Sequence, residues 1–132
     1  NGGRGDAPNQ GFGGGGGGAT AVGTSSPASP THGVPGGAGA TTSINASAVT
    51  YATGGPAGGP GTETPEANNT GNGADAGPQS AANSGGPGVV VVRFPADAAG
   101  FVSVAPGTNT VSTLGPGEVV ARFAISGTLT LG

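Results

Sequence analysis

The chain has 132 residues, of which 32 are glycine and 12 proline, a third of the total, where ordinary proteins hold about 12%. Only 7% are charged, the net charge is −3, and the three basic residues, Arg4, Arg93 and Arg122, lie far apart. This excludes a conventional layered core, a self-repelling charged tail and a nucleic-acid partner, since that affinity rests on cations gathered against phosphates.

There is no cysteine, hence no disulfide framework and no thiolate metal site. No apolar run approaches the roughly 18 residues that span a bilayer, so membrane insertion is not expected. The chain begins at Asn1 with "NGGRGDAPNQ", which reads as the middle of a glycine-rich region and predicts a portion of something longer.

A composition boundary falls near Gly88. Residues 1–88 hold 26 of the 32 glycines and 9 of the 12 prolines. Their apolar residues are mostly alanine, with Phe12, Val22, Val34, Ile44, Val49 and Tyr51 scattered among them. No helical or strand period persists, and glycine and proline are the poorest helix formers. Two glycine-poor islands interrupt this region. Residues 41–53, "TTSINASAVTYAT", predict one short strand; residues 62–70, "TETPEANNT", predict an exposed loop.

Residues 89–132 read differently. Runs at 89–94, 101–104, 110–114, 118–125 and 128–131 are β-branched or alternating, and each is bounded by Gly, Pro or Asn. They predict four or five short antiparallel strands joined by tight turns. Within them "GPGVVVVRFP" from Gly86 repeats as "GPGEVVARFA" from Gly115. Alternation places Val90, Val92 and Phe94 on one face of the first copy, and Val119, Ala121 and Phe123 on one face of the second. Those faces, with Ile125, are expected to supply core or oligomer packing. The faces of Arg93 and Arg122 are expected to point outward, with Glu118 sharing the Arg122 face. A β module of about 44 residues rarely buries enough surface to stand alone, and "VVVV" is aggregation-prone if left uncovered. The glycine-rich region and further copies of the chain are both expected to cover it.

The six glycines at 13–18 pose the main physical question. Holding each residue still costs roughly 1–2 kcal/mol, so the run costs on the order of 10 kcal/mol to order. Packed threefold extended helices meet that cost. Polyproline II geometry has three residues per turn and no internal hydrogen bonds, so a glycine chain in it keeps its N–H groups for its neighbours. Without Cβ atoms the backbones approach closely. Prolines 27, 30, 35, 56, 60 and 65 fit the same φ and mark turns. Collagen is rejected because no strict Gly-X-Y period exists. The alternative is a plain flexible spacer, and against it stands the scatter of Val, Ile, Tyr and Phe, which a spacer does not need. The predicted architecture is therefore mostly irregular and all-β: packed polyglycine-II-like helices over 1–88, then a small antiparallel β module over 89–132.

A polyglycine tract that runs into "GVVVVRFP" and ends on "RFAISGTLTLG" resembles the glycine-rich C-terminal domains of bacteriophage tail fibres and minor tail proteins. Leu129 and Leu131 stand where that family more often has Phe and Val. The resemblance covers essentially the whole chain. It implies a virion-exposed, extracellular tail element, a homotrimer, structural and host-attachment work, and contacts with other tail proteins and a bacterial surface glycan.

Catalysis finds no footing. His32, the one histidine, has no orienting partner in "PTHGVP"; there is no G-x-S-x-G elbow, and a P-loop is impossible without lysine. No cofactor is expected. "GNGAD" (71–75) is one partial copy of a calcium repeat that needs several, so it reads as a metal-free loop. Arg4-Gly5-Asp6 reads as a chance match in glycine-rich sequence. Asn45-Ala46-Ser47 and Asn68-Asn69-Thr70 are glycosylation acceptors only in a eukaryotic secretory pathway. Receptor contact belongs on loops, with residues 41–51 and 62–72 as candidates and Phe12 and Tyr51 as aromatic platforms for a sugar. The rival expectation is a secreted bacterial glycine-rich surface or filament protein that assembles on its own.

Overall fold

The computed structural model describes residues 1–5, 13–26, 34–58, 69–75, 84–115 and 117–132. These form two compact units, one of Asn1–Thr41 and Thr50–Pro87, the other of Thr42–Val49 and Gly88–Gly132. The described chain is all-β, with small antiparallel sheets and one short 3-10 turn, Ala96–Ala98.

In the first unit most residues carry no helix or strand, yet their backbones are bonded to one another throughout. Residues 13–19 bond to four other segments. Gly15 donates to Thr24 O (2.9 Å) and Gly18 to Ala21 O (2.9 Å); Gly3 donates to Gly15 O (2.7 Å) and Gly37 to Gly16 O (2.8 Å); Gly16 donates to Gly55 O (2.8 Å) and Ala19 to Ala52 O (3.0 Å). A β-strand has two edges and serves at most two neighbours. The step differs as well. Gly16 and Ala19 donate to Gly55 and Ala52, Gly54 and Ala57 to Gly37 and Val34, and Gly23 and Ser26 to Asn1 and Arg4. Each of these seams advances three residues on both sides, whereas sheet geometry repeats every two. The numbering rises together on the last seam and oppositely on the other two, so parallel and antiparallel neighbours mix.

Residues 41–53 make two strands rather than the single one expected: β1 (Ala40–Thr42) and β2 (Val49–Tyr51), paired as a hairpin. The hydroxyls of Thr41 and Thr50 hydrogen-bond across it at 2.7 Å. In the turn Ala46 donates to Ser43 O (2.9 Å) with φ at 66°. That left-handed conformation penalises any side chain. Ala46→Gly is therefore expected to stabilise the chain by a net of about 0.5 kcal/mol after glycine's entropy cost, read as a small rise in Tm.

The second unit contains five strands, where four or five were expected: β3 (Val90–Phe94), β4 (Val102–Ala105), β5 (Thr110–Thr113), β6 (Val119–Phe123) and β7 (Thr128–Leu131). One sheet has the order β3-β6-β5; the other pairs β4 with β7. Along β4, Val102 and Val104 are half-buried while Ser103 and Ala105 are exposed. The repeat copies are β3 and β6, and they pair with each other. Val90 faces Phe123, Val91 Arg122, Val92 Ala121, Arg93 Val120 and Phe94 Val119, so the register reads the same from either end and centres on Val92 and Ala121.

One expectation about this module needs correction. The Arg face is not uniformly outer: Val120 shares it with Arg122 and is 5% exposed, while Arg122 is half-buried. The cause is β6's central position, which buries Val119 and Ala121 on one face and Val120 on the other; alternation holds only for a strand with one solvated face. Val90 and Ile125, expected to pack in the core or between copies, are 60% and 50% exposed in the single chain. Val90 opens a strand at the sheet margin, and Ile125 lies past the end of β6.

Candidate functional site

The interior of the first unit is built largely of glycine backbone. Its buried residues include Gly15, Gly23, Gly37, Gly54 and Gly55, alongside Val34 and Ala57. A Cβ on Gly15 would overlap the carbonyl of Pro35, one on Gly23 that of Gly15, one on Gly36 that of Gly54, and one on Gly55 that of Ala74. The obstacle is main chain each time, so no rotamer change relieves it. Side-chain-free positions let these backbones touch, and contact brings the N–H groups of Gly15, Gly23, Gly37 and Gly54 to neighbouring carbonyls. Gly13, in the same six-residue run, has open space where its Cβ would stand. Sequence alone does not distinguish it from Gly15.

Of the residues expected to contact a receptor, Tyr51 ends β2 half-buried, and its carbonyl occupies the space that a side chain on Gly39 would need. Phe12 lies outside the described residues, as do His32, Asp6 and most of the 62–70 stretch. Among the described residues no group of three or more His, Cys, Asp or Glu is placed to hold a metal. No helix among them is long and apolar enough to cross a membrane.

The packing residues occupy one face of the three-stranded sheet. Val119 is 2% exposed and Ala121 fully buried, with Val92, Phe94 and Phe123 half-buried around them. Glu118 pairs with Arg93, not with Arg122 as its own strand suggests. The register explains this: Arg93 faces Val120, so Glu118 is its diagonal neighbour on the same face. Both partners are substantially exposed (37% and 32%), and such pairs contribute little. Glu118→Gln is expected to move stability by less than about 0.5 kcal/mol in chemical denaturation.

Asn109 was not singled out by its sequence. It is buried at 4% exposure and joins two turns. Its Nδ2 donates to Ala105 O (3.3 Å), and its Oδ1 accepts from the backbone of Ala124 (3.1 Å) and Ile125 (3.3 Å). Its own N–H donates to Pro106 O (2.9 Å). Gly127 closes the same knot, because a Cβ there would strike the Ala105 carbonyl and the Asn109 amide. "PGTNTV" carries only generic turn residues, so nothing marks Asn109 as structural before the β4–β5 and β6–β7 turns are seen together.

No protein-family model, curated protein or solved structure matches this chain.

Proposed function

We propose that this chain is a non-enzymatic structural and adhesive segment of a bacteriophage tail fibre or minor tail protein, virion-exposed and acting at the host surface. Residues 1–88 are packed polyglycine-II-like helices, and further copies of the chain complete the β module. The observation that carries this reading is the three-residue step of the lateral backbone bonds, which matches the three residues per turn of an extended threefold helix. A segment with four bonded neighbours makes a stiff lattice from chain that composition alone would leave as a tether. Rigid scaffolds of this kind present loops for recognition, and the glycan-contact candidates Tyr51 and Phe12 belong to the same region.

A second reading is favoured by one observation: β3 and β5 both end their sheet, and open edges suit continued self-assembly. A secreted bacterial surface or filament protein fits that feature. Electron microscopy with gold-labelled antibodies against the chain separates the two. Label at the tail tips of particles from a lysate supports the phage reading. Label on uninfected cells or on free filaments replaces it with the second.

A further inference from the structure

We propose that two copies of this chain join through the outer edge of β3, strand against strand, in an antiparallel register centred on Val92 of both copies. The inference rests on the reading of the chain as a self-assembling element, and it specifies a two-fold contact instead of the three-fold one that the family resemblance implies.

Three features converge on this edge. First, β3 is marginal in the order β3-β6-β5, so among the described residues only β6 pairs with it. Within Val90–Phe94 the edge holds neither proline nor lysine, two of the usual safeguards, and its one charge is that of Arg93. Second, the internal repeat acts as a template. VVVRF of β3 already pairs with VVARF of β6, first residue against last. The two differ only where Val92 stands for Ala121, the central position. A second β3 therefore offers nearly the same cross-strand partners: Val90 opposite Phe94, Val91 opposite Arg93, and Val92 opposite its own copy. Third, charge does not oppose the contact. Arg93 is the one charged residue of β3, Glu118 of its own chain neutralises it, and the register sets it against Val91 rather than another arginine. Val90, 60% exposed at the start of the strand, gains an aromatic neighbour of the kind it has in Phe123. The sheet continues unbroken through the join, and each contact is reciprocated between the two copies, as an isologous interface requires.

The test uses the absence of native cysteine. In the proposed register the two copies of residue 92 stand about 5 Å apart, within reach of a disulfide. The two copies of residue 90 stand about 13 Å apart, beyond it. Under mild oxidation Val92→Cys full-length chain should therefore run at twice its 11.9 kDa mass in denaturing, non-reducing conditions. Val90→Cys, though more exposed, should not. Sedimentation of the unsubstituted chain should give an even number of copies. Equal cross-linking of both variants, or of neither, overturns the proposal. A mass of three chains with Val92→Cys uncrosslinked also overturns it, in favour of β3 meeting β5 of a neighbouring copy around a ring. In that last case self-assembly stands while the two-fold contact does not; a lone folded chain defeats both.

Discussion

Gly15→Ala is expected to unfold the first unit at temperatures where Gly13→Ala leaves it intact, although the two positions are two residues apart in one homopolymeric run. Gly15 is buried, donates to Thr24 and accepts from Gly3, and its Cβ would enter the Pro35 carbonyl. Relieving that overlap means moving the whole 34–39 segment, which also bonds to Gly16 and Gly54. Overpacking against side chains costs about 1–3 kcal/mol. Here backbone must move, and each hydrogen bond lost adds about 1 kcal/mol. The expected loss is about 3–5 kcal/mol, a large share of a small domain's stability. Gly13→Ala meets open space and removes unfolded-state entropy, so it should be neutral or stabilise by about 0.5 kcal/mol. Thermal melts and amide exchange at Gly3, Gly15 and Gly37 read both. Equal tolerance of the two alanines would falsify the packed lattice.

Asn109→Ala carries the second large effect. The side chain satisfies the backbone N–H groups of Ala124 and Ile125 and the carbonyl of Ala105 from a buried position. Truncation removes the Asn109 contribution to all of these groups, at about 1–3 kcal/mol for each one whose hydrogen bond is not replaced. A loss of about 2–4 kcal/mol is expected, seen as an early transition of the β module in denaturant. Gly127→Ala should produce a similar loss by wedging the same knot apart. Because both changes break one cluster, the double variant should lose clearly less than the sum of the singles. Additive losses would show that the two turns are held independently.

The strands of the C-terminal unit were legible because β-branched runs between turn residues carry local information that tertiary structure did not override. Their partners were not. Glu118 lies four residues from Arg122 in sequence, yet bonds to Arg93 in the neighbouring strand, a matter of register that no single strand encodes. Burial of Val120 on the Arg122 face likewise follows from β6 being central, which depends on strand order. The hairpin at Ala40–Tyr51 escaped notice because its turn uses Ala46 in a left-handed conformation, where an Asn-Gly or Asp-Gly pair would have announced it. In the glycine-rich region composition indicated close backbone packing, but Gly13 and Gly15 differ only in what stands beside them.

The three-residue advance between bonded neighbours limits how the polyglycine tract can change length. On the threefold-helix reading proposed above, adding or deleting one glycine within 13–18 would turn every following donor by a third of a revolution and aim it at the wrong neighbour. Gaining or losing a triplet would preserve the phase. Surviving length variants of this tract are therefore expected to differ by multiples of three. A stretch that looks like filler would then be under strict numerical selection.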